Sequence, residues 1–509
     1  MARHGVRALR DLRRARRRRA YGTIDWMDAL YRVYVTAIFS AAGVGVVSGW
    51  VAGQPVTPGE LASVVDHGPA AVGLVVAMAV AVGLRSGGRG GPLVLQPADV
   101  MHVLLAPVPR ATVLRGPALR QLRFSGFVGT VAGVVAGNLA GRRLPGPDVH
   151  WLVWGGVAGA VAGLAFTGSA LVASGLRSGR RVAALLAAAA VGWSVVDLVR
   201  GSATSPATFL GRLAMSPLDR LGLPALGLSL VALPVVGLAV VGGTSLEAAR
   251  RQAGLLAQLR FAVTMQDVRT VILLRRQLAA EGPRRRPWMR IPPGRRLPVW
   301  RRDWQGVLRW PAIRVVRLLG LGVVAGMAAA GAGQGTPALV FVSAAALLVA
   351  AFEAVEGLAQ EADHPVRHET LPIRSGLLVV RHLGVPAVVM VGVVTVAVGG
   401  ALALGGGATV LAAGAVIGVP AALAAVSGAA LSIEIGAIDT LAAPELFGQA
   451  KMVGQMVGPA VMAVAGVLPV LAGRAAVDSG APFMAGAGPA AIGVLMATVA
   501  VVAWLHRKD

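Results

Sequence analysis

AGAGPAAIGVLMATVAVVAWL, residues 485–505, contains no charged side chain and runs straight into His506, Arg507, Lys508 and Asp509. A helix rises about 1.5 Å per residue, so about 20 residues cross the roughly 30 Å of hydrocarbon in a bilayer. The stretch therefore reads as a membrane-spanning helix ending in a basic tail. A backbone facing lipid must satisfy its own hydrogen bonds, and a run of this length is far too long for a barrel strand. Helix is the form left.

Comparable windows precede it at 33–52, 68–84, 118–140, 151–173, 181–199 and 224–243, and again at 314–332, 337–355, 377–400, 408–432 and 453–473. The whole composition agrees. Of 509 residues, 56% are hydrophobic and 14% charged, against about 25% charged in a soluble domain, and the mean hydropathy is +0.70. Lysine occurs only at Lys451 and Lys508 while Ala, Gly and Val fill most apolar positions, a usage that reads as a GC-rich bacterial genome. No cysteine is present, which excludes disulfides, thiolate metal sites and thiol catalysis.

The arginines set the orientation. Nine of them and one acid, Asp11, stand in the first twenty residues. The apolar run that follows lacks a small-residue cleavage site, so it is expected to be retained as the first span. With alternating spans, the N-terminus, the segment 85–123, the turn 176–181, the middle segment and the terminal tail all fall on one side, which the positive-inside rule makes cytoplasmic. Both termini are then cytoplasmic, in a bacterial cytoplasmic membrane. Arg142 and Arg143 fall on the other side, an exception to the rule. The net charge of +25 is explained by this topology. No aromatic-interleaved module accompanies it, so no nucleic-acid partner is expected.

A duplication is visible across the chain. Asp25-Trp26 precedes the first window and Asp303-Trp304 the seventh; Gly43, Gly45 and Gly49 are echoed by Gly320, Gly322 and Gly326; Ala98-Asp99 and Arg110 are echoed by Ala362-Asp363 and Arg374. The three echoes keep the same order. The expected fold class is therefore all-α polytopic membrane protein, with about twelve transmembrane helices as two pseudo-repeated six-helix halves. The divisions are a basic N-terminus at 1–20, a first membrane half at 21–243, a basic helical linker at 244–300 and a second half at 301–509.

Gly45 and Gly49, and Gly322 and Gly326, place small residues on one helix face, a spacing that serves helix packing. DWMDALYRVY at 25–34 and DWQGVLRWP at 303–311 mix charged, aromatic and aliphatic side chains, which marks interfacial helices carrying Asp25, Trp26, Asp303 and Trp304. A plain membrane anchor would look the same. PADVMHVLLAPVPRATVLR, at 97–115, combines a proline suited to the first helical position, Asp99 at the positive end of the dipole, an apolar face of Val100, Val103 and Leu104, and a stop at Pro107 and Pro109. It reads as a short cytoplasmic helix with a rigid break, and EADHPVRHETLPIR at 361–374 is its counterpart. An ordinary loop held by headgroups is the competing reading.

The segment from Thr244 to Arg314 carries sixteen arginines and four acids. Thr244-x-x-Glu247 suggests a capping box and a helix continuing to Leu278, before PRRRPW and RIPPGRR break it into a linker suited to anionic headgroups. Asp363, His364, His368 and Glu369 invite a metal reading, but Pro365 intervenes and neither HExxH nor HxxEH is present. No metal or other cofactor is therefore expected on this chain, and no catalytic residue is assigned. Neither lysine stands in a Walker A loop. The few acids near spans, Asp197, Glu353 and Glu356, lie at span ends, with Glu434 and Asp439 in or beside a loop, which is not the mid-membrane placement of an ion-coupled carrier.

On the strength of Arg302-Asp303-Trp304, the weaker Ile24-Asp25-Trp26 and ADVMHVLLAPVPR at 98–110, the chain resembles the membrane subunits of ABC-2-type exporters, in the large bacterial form with two fused six-span halves. The resemblance implies a permease subunit without its own ATPase. Its partners would be a separate ABC ATP-binding subunit, which holds the ATP and Mg, and the membrane lipids, with pairing of its two halves or a homodimer. Asp99, His102, Arg110, Asp363 and Arg374 would then contact the ATPase. The second copy departs from the first at Pro365 and at TLPIR in place of APVPR. The alternatives are a major facilitator type carrier and a lipid-modifying membrane enzyme. The first is opposed by GLRSGGRGG and a long segment where such carriers have a short loop with Gly-x-x-x-Asp-Arg; the second rests on the HPVRHE cluster alone.

Overall fold

The computed structural model describes residues 11, 14–15, 56–88, 91, 93, 95, 97–218, 229–264, 283–291, 298–362, 374–402, 407–437 and 457–507. Among them every regular element is helical. Nine helices are long and apolar enough to cross a membrane, or eleven if each of two bent pairs counts as one span. This is a multi-pass membrane protein. Contacts divide it into two compact units, Met1–Gln266 and Asp267–Asp509.

The first unit contains α1 (Pro58–Gly87), α2 (Arg110–Gly141), α3 (Asp148–Gly175), α4 (Arg180–Arg200), α5 (Pro206–Ala214), α6 (Ala232–Val240) and α7 (Leu246–Thr264). Helix α3 packs on α1, α2 and α6, and α1 also packs on α4 and α5. Prolines set several starts: Pro109 and Pro147 hold extended backbone just before α2 and α3, and Asp148 sits in the first turn of α3, where its charge suits the helix dipole. Helix α4 ends on Gly201 in the left-handed region, φ +62°, which costs glycine nothing.

The second unit contains α8 (Pro298–Val307), α9 (Ala312–Gly333), α10 (Leu339–Ala354), α11 (Glu356–Ala362), α12 (Ser375–Leu402), α13 (Gly407–Ala437), α14 (Val457–Asp478, broken at Leu468) and α15 (Phe483–His506). Helix α9 packs on α10 and α12, and α13 packs on α10, α12 and α15. The quoted stretch at 485–505 lies within α15.

Between apolar helices in lipid the hydrophobic effect supplies little, so close backbone packing carries association. The α2–α3 seam is built this way. Gly129 and Gly159 face each other, as do Gly133 and Gly155, and Gly137 lies on the Trp151 carbonyl while Gly163 lies on that of Ser125; a Cβ at any of these would collide with facing backbone. In the second unit Gly322 and Gly326 meet α12 at Val393 and Ala397, so this pair lies at a helix contact, in line with a packing role. Gly45 and Gly49 lie outside the described residues.

The window at 33–52 lies outside the described residues, and that at 224–243 is described only from 229. There Ser229–Gly243 meets Leu246–Gln258 at 104°, and Leu339–Ala354 meets Glu356–Ala362 at 57°. The expected capping box from Thr244 to Glu247 does not form; a lone serine cap takes its place one residue on. Thr244 donates its hydroxyl back to the Val241 carbonyl at 2.8 Å, and Ser245 Oγ is the acceptor facing Ala248 N–H, at 3.5 Å.

Candidate functional site

Helix α8 is short and two-faced. Arg302 and Asp303 turn toward α11 and α12, and among the described residues Asp303, Glu361 and His382 are buried there. Asp303 and His382 are both buried, and His382 Nδ1 lies 2.8 Å from Asp303 Oδ2. An ionised carboxylate only accepts, so Nδ1–H donates, and the imidazole Nε2 is buried without a hydrogen-bond partner. Two glycines make the approach possible: a Cβ at Gly357 would meet Asp303 Oδ1 at 2.9 Å, and one at Gly384 would meet the Trp300 ring at 2.9 Å. Trp300 and Trp304 stack edge to face, 6.0 Å between centroids.

Ion pairs extend the cluster. Arg302 reaches Glu361, itself 1% exposed, at 3.0 Å. Arg314, in the first turn of α9, pairs with Glu353 at 3.1 Å and also with Glu356, while Arg317 pairs with Glu353 at 2.9 Å. The Arg314 guanidinium lies 4.1 Å from the centroid of the buried Trp310 ring, within cation–π range. Five helices, α8 to α12, thus share one polar knot. Beside it lies a cavity of about 260 Å³ lined by Arg302, Asp303, Arg309, Arg314, Glu356 and Gln360 among others.

Part of the basic linker seats on this knot. Arg284 N–H donates to the Arg309 carbonyl at 2.8 Å, Trp288 N–H to that of Leu308 at 2.8 Å, and Trp288 Nε1 to that of Trp310 at 2.9 Å. Arg284 covers the Trp288 ring at 3.6 Å. PRRRPW therefore docks on the turn between α8 and α9.

In the first unit the stretch at 97–115 forms a π-turn, Asp99–Val103, then bends through Pro107 to the start of α2. Val100 and Leu104 are buried with Leu93, Leu95, Leu114, Ala249 and Ala253, which seats the segment against α7 and the base of α2. Asp99 is half-buried; His102 and Arg110 are exposed. Arg374, at the start of α12, is also exposed, whereas Asp363, Asp25 and Trp26 lie outside the described residues. Asp303 sits in the knot, and Trp304, next to it on α8, packs on Trp300.

Asp197 forms a second buried polar centre. It accepts from Thr204 Oγ1 at 2.6 Å, Ser205 N–H at 2.8 Å, Ser202 Oγ at 3.1 Å and Thr204 N–H at 3.2 Å. These bonds close the turn into α5, whose start is capped by Ser205 accepting from Thr208 N–H. Its acceptor capacity is filled, which is the signature of a structural carboxylate.

Sequence reasoning placed Asp303 and Trp304 at an interface but did not find His382. No local pattern marks a histidine whose partner lies 79 residues away. Among the described residues no group of three or more His, Asp or Glu side chains could hold a metal ion; the HPVRHE cluster lies outside them. Comparison with family models, curated proteins and solved structures finds no match.

Proposed function

We propose that the chain is the membrane-spanning permease subunit of an ATP-driven exporter in a bacterial cytoplasmic membrane, energised by a separate ABC-type ATP-binding subunit. Twelve spans in two repeated halves form the pathway, with both termini cytoplasmic. The observation that carries the reading is the partly buried knot joining Arg302, Asp303, Arg314, Glu353, Glu356, Glu361 and His382. A membrane unit driven from outside needs its cytoplasmic projections coupled stiffly to its spans. The knot couples α11, which leads into the 363–374 segment, to α8, α9 and α12, so force on that segment would shift packed helices as a block.

Matching internal packing supports the duplication. In the first unit the second span packs on the fourth, the third on the fourth and the fourth on the sixth, by the pairs α1–α3, α2–α3 and α3–α6. The pairs α10–α13, α12–α13 and α13–α15 repeat that order in the second unit. Asp99, His102 and Arg110 in one half and Asp363 and Arg374 in the other are the contact residues for the ATPase, which holds the ATP and Mg. Membrane lipids surround the spans. Reversing both Asp99→Arg and Asp363→Arg should reduce recovery of an ATP-binding subunit with the tagged chain from its host by tenfold or more. Undiminished recovery sinks the coupling assignment.

A further inference from the structure

The second unit has two unlike ends. One holds the ion knot; the other, reached by following α9, α12 and α13 away from it, opens into a cavity of about 370 Å³. Its wall comes from the far halves of those helices with contributions from α10, α14 and α15, and includes Ala329, Val394, Val398, Ala413, Ile417 and Phe483. Among the described residues that line it, none is charged. Ser343, inside, already donates its hydroxyl to the Ala325 carbonyl at 2.9 Å. The remaining polar lining, Gln334 and Thr409, lies at the ends of α9 and α13, and Arg474, paired with Asp478 at 2.9 Å, donates to the carbonyl of neighbouring Gly333.

These features select the occupant. Protein interiors leave few voids larger than a water molecule, so a cavity of this size among packed helices marks a place for an occupant. Water is a poor filler, because it needs two to four polar partners and this wall offers almost none. The cavity lies within the spans, where hydrocarbon is the surrounding medium. Its volume is at the lower end of the roughly 300–1,000 Å³ found for ligand pockets, which fits one flexible chain better than a rigid polycyclic body. We propose that this cavity binds the hydrocarbon chain of a single-chain amphiphile, with the head group at the rim formed by Gln334, Thr409 and the Arg474–Asp478 pair. The binding claim stands on the cavity alone; only the step from bound chain to exported cargo rests on the exporter reading.

The test uses the purified full chain in a detergent with a rigid steroid body, a photoactivatable straight-chain fatty acid, and mapping of labelled peptides. Labelling should concentrate on the cavity segments of α9, α12 and α13, at least tenfold above that at the exposed Val388. Ala329→Phe and Ala413→Phe, which fill the cavity from half-buried positions, should each lower it by tenfold or more. Equal labelling at Val388 and the cavity overturns the proposal, as does undiminished labelling in variants that elute like the wild type. Should both variants aggregate, competition decides: an unlabelled straight-chain acid must displace the probe and a sterol acid must not, and equal displacement overturns it. In nanodiscs, labelling by the free acid but not by a photoactivatable phospholipid tail upholds the single-chain claim, whereas labelling from the phospholipid tail overturns it. No ATPase partner takes part, so failure here is distinct from failure of the coupling assignment.

Discussion

At the scale of single residues, the most consequential contact is that between Asp303 and His382. Both side chains are buried, so removing one leaves the other without its partner in a poorly solvated site, a loss of about 3–5 kcal/mol in comparable pairs. His382→Ala should lower stability by about 3 kcal/mol, read as a drop in thermal unfolding midpoint in detergent. The double variant His382→Ala with Asp303→Ala should recover part of that loss, because no unpaired buried charge remains; purely additive losses would show that the two do not interact. Asp197 makes the opposite kind of case. Asp197→Ala strands the Thr204 and Ser205 N–H groups and should cost about 2–4 kcal/mol, whereas Asp197→Asn keeps an acceptor oxygen and should cost about half as much in the same assay. Asp197 was legible as a span-end acid, yet its partners were not, since four hydroxyl and amide donors converge only once the turn closes.

Elements were the most legible scale, because a span of about 20 apolar residues announces itself without help from tertiary context. The windows at 118–140, 151–173, 377–400 and 408–432 each fall inside a single helix. Breaks were less visible, because hydropathy averages over the bends after Gly243 and Ala354. The α2–α3 seam shows a signal that was present but unused, since Gly129, Gly133 and Gly137, and Gly155, Gly159 and Gly163, recur every four residues. Gly133→Val should separate the two helices and abolish the monodisperse peak on size-exclusion chromatography. Gly192→Ala, where no neighbour lies within 4 Å of a new Cβ, should leave that peak unchanged. Equal outcomes for the two would mean that close packing does not hold this seam.

For the whole molecule, the open matter is where the energy for movement enters. The two units each carry their own packed core, and the second gathers its buried charge at one end and its apolar cavity at the other. A carrier driven by an ion gradient would need an ionisable group that the ion reaches in the course of transport. The Asp303–His382 pair is the group such a mechanism would use, and the unpartnered Nε2 gives it a site for a proton. Its surroundings favour a mechanical role instead: Arg302, Arg314 and Arg317 pair with Glu361, Glu353 and Glu356 around it, and the docked 283–291 segment lies on the same knot. Vesicles containing the purified chain alone should therefore show no uphill flux of a single-chain amphiphile under an imposed proton or sodium gradient. Flux should appear when the ATP-binding subunit and ATP are added. Gradient-driven uphill flux by the chain alone, abolished by His382→Ala, would transfer the energetic role from the outside partner to this buried pair.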